Sequence, residues 1–118
     1  MGEVIQEILR SNADIRYAAL YTNGKLDTAT RQGLQAATTG ESDKYEELLV
    51  NPVLLQLVKQ RGDIDCGGAQ FMVIRYGYFY QWIRPVIGGH VSVCMEASAD
   101  PMEAGKKLEV ILRSHSLL

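Results

Sequence analysis

Residues 76–90 read YGYFYQWIRPVIGGH. Five of the chain's nine aromatic residues, Tyr76, Tyr78, Phe79, Tyr80 and Trp82, fall within seven positions. Either these rings form a stacking platform for a ligand, or they are one packed strand of an ordinary sheet. Side chains of a strand alternate between its two faces. Tyr78, Tyr80, Trp82 and Arg84 then share one face, and Phe79, Gln81, Ile83 and Pro85 the other. Sheet strands are commonly enriched in aromatics. The stretch therefore reads as a core strand, its rings under helices and its hydroxyls and indole N–H at the rim.

A nucleic-acid platform is the competing reading, since single-strand binders stack bases on such a face. RYGYFYQW is loosely similar to the aromatic strand of RNA-recognition domains. But Tyr76 stands where glycine should follow the basic residue, and the order of elements is different. The net charge is -2. Non-specific binding to nucleic acid or to an anionic membrane needs a positive field, so neither is expected as a partner.

Working outward, turn signals divide the chain. Gly77 precedes the aromatic strand YFYQWIRPV, and Gly88-Gly89 turns it into HVSVCMEA. Upstream lies a further strand, GAQFMVIRY. Downstream, Asp100-Pro101 opens a helix with Asp100 as cap, Pro101 in the first turn and Glu103 at capping-box spacing. Met102, Gly105, Leu108, Ile111 and Leu112 line one side of it, and the tail SHSLL is expected to fray. At the other end, GEVIQEILR has helical spacing of Val4, Ile5, Ile8 and Leu9, with charges that suit the helix dipole. IRYAALYT and KLDTATR flank Asn23-Gly24, a two-residue hairpin signal. Residues 32–40 read as a connection with little fixed structure. Residues 41–50 are expected to be helical from an N-cap at Ser42. Asn51-Pro52 then restarts or kinks the helix, and PVLLQLVKQR runs to a stop at Gly62.

The order α-β-β-α-β-β-β-α predicts an α+β fold: a five-stranded antiparallel sheet with helices packed on it. The 118 residues make one domain by length. No apolar run is long enough to span a bilayer, and the N-terminus lacks a signal pattern, so the expected location is cytoplasmic. Cys66 and Cys94 lack metal-ligand spacing and are expected to be small buried or half-buried thiols. Neither His90 nor His115 is paired with a Cys, Ser or carboxylate at a recognisable spacing. No catalytic residue, metal site or cofactor is assigned, and the acids are explained by solvation. One helix stands out. Val53, Leu54, Leu55, Leu57 and Val58 sweep about 200° of its surface, where a helix on one sheet needs a stripe of about 100° or somewhat more. Such a helix can cover its own sheet and also meet a second chain.

The segment FMVIRYGYFYQWIRPVIGGHVSVCMEASADPMEAGKKLEVIL, with the helix before IRYAALYTNGKLDTATR, resembles the roadblock family, the group of dynein light chains and bacterial GTPase regulators. The resemblance implies a profilin-like fold over residues 1–118, with one helix on one face of the sheet and two on the other. It also implies dimers in which the middle helix and a neighbouring edge strand meet their counterparts. AQFMVIR is the strand placed there, because an unpaired edge can be satisfied by a second copy of itself. The interface residues expected on this basis are Leu54, Leu55, Val58, Phe71, Val73 and Arg75. The family is non-enzymatic, acting as a platform for small Ras-like GTPases or for motor and signalling assemblies. The expected role is thus a homodimeric scaffold or regulator of a small GTPase. The alternative is a small-molecule-sensing domain that uses Tyr78, Tyr80 and Trp82 as its binding face.

Overall fold

The computed structural model describes residues 2–31 and 40–118; most of the expected connection over residues 32–40 lies outside them. The elements are α1 (Gly2–Ser11), β1 (Ile15–Thr22), β2 (Lys25–Thr30), α2 (Gly40–Tyr45), a π-helical turn (Glu46–Val50), α3 (Asn51–Asp65), β3 (Met72–Arg75), β4 (Phe79–Val86), β5 (Gly89–Glu96) and α4 (Pro101–Ser114). The sheet is antiparallel throughout, in the order β2-β1-β5-β4-β3. This is the expected α+β architecture.

Local chemistry explains the boundaries. Asn23 and Gly24 both take positive φ, 53° and 80°, as a tight hairpin requires. The Asp100 carboxylate accepts from the backbone N–H groups of Met102 and Glu103, each at 3.2 Å. The Arg31 guanidinium donates to the carbonyls of Leu9 and Asn12, where α1 ends, and to that of Ile15 at the start of β1, so one side chain ties the two elements together.

α1 and α4 cover one face. Their Val4, Ile5, Ile8, Leu108, Ile111 and Leu112 meet Ala18, Leu20, Trp82, Val91, Val93 and Met95 of the sheet. The other face, with Tyr17, Ala19, Gln81, Ile83, His90 and Ser92, lies toward the helical rod from α2 to α3. Two helices on one face and one rod on the other is the layering expected from the sequence resemblance.

Several details differ from expectation. The middle helix begins at Gly40, before Ser42; at Asn51-Pro52, where a restart or kink is expected, α3 begins directly after a π turn and the backbone stays helical through the junction. Tyr45, Val50 and Asn51 all hold right-handed helical dihedrals. Proline lacks an N–H and crowds the carbonyl four residues back. Here a π turn precedes it, in which the Asn51 N–H reaches the Glu46 carbonyl. The wider turn takes one extra residue and lets the rod run on.

Gly62 is not a stop. α3 continues to Asp65, and Gly62 is buried where the chain folds back over it. A Cβ there would stand 2.8 Å from the Ala69 nitrogen, a backbone atom. We expect Gly62→Ala to lower stability by about 1–3 kcal/mol, read as a fall in thermal midpoint. An unchanged midpoint would show that the 67–69 turn gives way freely.

The tail does not fray. Ser116 takes φ 59°, the Leu117 N–H bonds the Leu112 carbonyl at 2.9 Å and the Ser116 N–H bonds that of Arg113 at 3.0 Å. This is a Schellman closure with serine in the glycine position. It seats Leu117 in the core, where its carbonyl accepts from the Ile87 N–H. Cys66 is exposed rather than buried, and Cys94 is half-buried; both are free thiols.

Candidate functional site: a helical rod beside an open strand edge

The π turn decides which way the middle helix faces. It sends Glu47 inward, where the side chain is fully buried. The Glu47 carboxylate is 2.9 Å from His90 Nε2, accepts from Asn51 Nδ2 at 3.0 Å, and lies 3.4 Å from the Tyr17 hydroxyl. Three elements, the rod, β1 and β5, are thus joined at one buried polar cluster. In the linear sequence His90 has no partner and the acids belong to solvent. Both points are corrected by the contact across 43 positions. His115 is also paired, 2.9 Å from Glu7 of α1.

With Glu47 inward, Tyr45, Leu49, Val53 and Leu57 follow one another at four-residue steps on the outside. They are 61%, 48%, 49% and 59% exposed, and Ile64 extends the stripe at 75%. Exposed apolar side chains in such a row are the kind of patch that marks interaction surfaces in soluble proteins. The expected interface residues of the same helix are placed differently. Leu54, Leu55 and Val58 are half-buried, and Leu55 lines a small cleft with Tyr21, Pro85 and His90.

Among the described residues β3 pairs only with β4, so its other side is an open sheet edge. Phe71 and Val73 are half-buried against the α1/α4 core, and the Phe71 ring stacks on Trp82 with centroids 6.0 Å apart. Arg75 is exposed at the strand's end, its guanidinium 5.0 Å from the centre of the Tyr80 ring.

The structure does not bring Tyr78, Tyr80 and Trp82 together as a face. Trp82 is fully buried beneath α4, where a Cβ on Gly105 would come within 2.7 Å of the indole nitrogen. Tyr80 is half-buried on the same side of the sheet. Tyr78 precedes β4 and is 83% exposed. It stands instead at the mouth of a cleft of about 550 Å³ between the start of the rod and the β3–β4 turn, lined among others by Tyr17, Glu46, Glu47, Tyr76 and Phe79. No linear pattern signals this cleft, because its walls come from four separate stretches.

Among the described residues, no helix is long and apolar enough to cross a membrane, and no group of three or more His, Cys, Asp or Glu is placed to hold a metal ion.

A five-stranded antiparallel sheet with two helices on one face and a long rod on the other is the roadblock fold. The chain superposes on the Roadblock/LC7 domain from Streptomyces avermitilis with a TM-score of 0.74 at 13% identity, covering 97% of this chain and 92% of that one. It is similar in the same way to the gliding protein MglB from Thermus thermophilus, with a TM-score of 0.68, 16% identity, and 98% and 87% of the two chains covered. A structure of MglB with a tetrameric arrangement gives 0.70 at 14% identity, over 95% and 85%. No protein-family model and no curated protein matches the sequence.

Proposed function

We propose that residues 1–118 form one roadblock-like domain that works in the cytoplasm as a non-enzymatic homodimeric platform, a scaffold or regulator of a small Ras-like GTPase or of a signalling assembly. The observation that carries this reading is the apolar stripe Leu49, Val53, Leu57 and Ile64 on the outside of the rod, together with the open edge of β3. A second copy covers the stripe and pairs the edge. The fold supports the reading, since the structures it matches include an MglB in a tetrameric arrangement. The proposed interface keeps the open edge near Phe71, Val73 and Arg75. On the helix it moves from Leu54, Leu55 and Val58 to the neighbouring outward residues.

Two substitutions test this. Leu57→Glu places a charge where the partner would sit and is expected to weaken dimerisation by about 100-fold or more. Leu57 is 59% exposed, so circular dichroism should stay that of the parent. Leu55→Glu, turned toward the sheet, should lower the unfolding midpoint instead. Light scattering across a concentration series reads the first effect. A protein that is monomeric throughout, or a full-strength Leu57→Glu dimer, would remove this surface from the interface.

A further inference from the structure

The platform reading leaves the cleft at the start of the rod unused. Its lining includes five aromatic rings, Tyr76, Tyr78 and Phe79 among them, and the carboxylates of Asp43, Glu46 and Glu47. Among the described residues, no lysine, arginine or histidine lines it. Ring faces carry negative potential, and so do carboxylates; both favour a cation and both repel an anion. The cleft's volume, about 550 Å³, is in the range that holds a small molecule.

The walls are organised rather than merely acidic. The Tyr76 hydroxyl donates to Glu46 at 3.2 Å, and that of Tyr17 reaches Glu47 at 3.4 Å. The Tyr76 and Phe79 rings meet at 5.3 Å, tilted by 50°. Burial, and then the neighbouring carboxylates, push the Tyr76 phenol up to about 12 and that of Tyr17 higher still. Both therefore stay neutral donors to the carboxylates near neutral pH. Burial, and after it the nearby carboxylates of Glu47 and Asp43, raise Glu46 above its ordinary value, while the Tyr76 hydrogen bond and His90 pull the other way. Tyr78, 83% exposed at the mouth, has little packing reason to be aromatic.

We propose that this cleft binds a small organic cation, an alkylammonium head with an apolar body, held by the rings and by Glu46. The head group would sit beside Glu46 and Tyr76, and the body against Phe79 and Tyr78. Tyr45 lines the cleft and also begins the exposed stripe, but Glu46, Tyr76, Tyr78 and Phe79, which hold the cation here, are not among the residues proposed to meet a second copy.

The test is an NMR titration of the ¹⁵N-labelled full chain with benzyltrimethylammonium, benzyl alcohol and benzoate. The cation is expected to bind about tenfold more tightly than the alcohol, with shifts centred on the amides of Tyr76–Gln81, and benzoate not at all. Tyr78→Ala and Glu46→Gln should each weaken the cation by about fivefold or more. Their spectra report whether the fold is kept, and Tyr78, being exposed, is the safer of the two. Equal binding of the alcohol would make the cleft a plain apolar groove and overturn the proposal. So would shifts indifferent to both variants, or no binding of the cation up to about 10 mM. The dimer mass read by light scattering should not change in either variant, so failure here is distinct from failure of the interface.

Discussion

His90→Ala is expected to lower the stability of the protein by about 3–5 kcal/mol, a large share of the margin of a domain this size. His90 Nε2 lies 2.9 Å from a Glu47 carboxylate that has no exposure to solvent. Removing the ring leaves that carboxylate with Asn51 and the longer contact to Tyr17. A buried acid stripped of its main partner costs far more than the intact pair contributes. Glu47→Gln is the informative companion. It keeps a hydrogen-bonding group of the same shape facing His90, so its cost should be nearer ~1–2 kcal/mol, on the order of one or two hydrogen bonds. Urea unfolding followed by far-UV circular dichroism measures both. If His90→Ala costs no more than Glu47→Gln, the cluster is not what joins the rod to the sheet.

The second large effect concerns the aromatic strand. Trp82→Ala should cost about 3–5 kcal/mol, because it empties the middle of the core beneath α4. Trp82 is fully buried between Phe71 and Gly105. Its indole N–H has no hydrogen-bond partner among the described residues. Trp82→Phe therefore forfeits volume but no hydrogen bond, and should recover more than half of the loss. A nearly neutral Trp82→Ala would mean that the ring is not part of the core. These substitutions remove the lone tryptophan, so the unfolding signal must again be circular dichroism.

Much of the fold was legible because its signals are local. Asn23-Gly24, Asp100-Pro101 and the alternation in YFYQWIRPV each act within a few residues, and each placed its element. The reading of this stretch as a core strand rested on the alternation and on the aromatics common in strands, and it put Trp82 in the core; its indole N–H, however, is buried and not at the rim. The Glu47–His90 contact was hidden because its partners lie 43 positions apart, and nothing about an acid in a polar helix shows that it points inward. Gly62 looked like a stop because the chain that folds over it is not visible in a linear pattern. The tail looked loose because Ser116 fills a place that glycine usually marks. On the helix, the width of the apolar sweep was readable, but its outward direction was not. That direction depends on the π turn, which no residue in EELLV announces.

That turn has a bearing on how relatives of this chain should be aligned. A π turn is one surplus residue absorbed without lengthening the rod's path. Its removal would leave a regular helix whose two halves are rotated against each other by about 100°. A single-residue gap opposite residues 46–50 is therefore not neutral drift in a loop. It is a phase marker. A chain lacking that residue could not both bury an acid at the position of Glu47 and keep the Val53–Leu57 stripe on the outside of the rod. The presence or absence of one position is thus expected to decide which side of the rod faces outward.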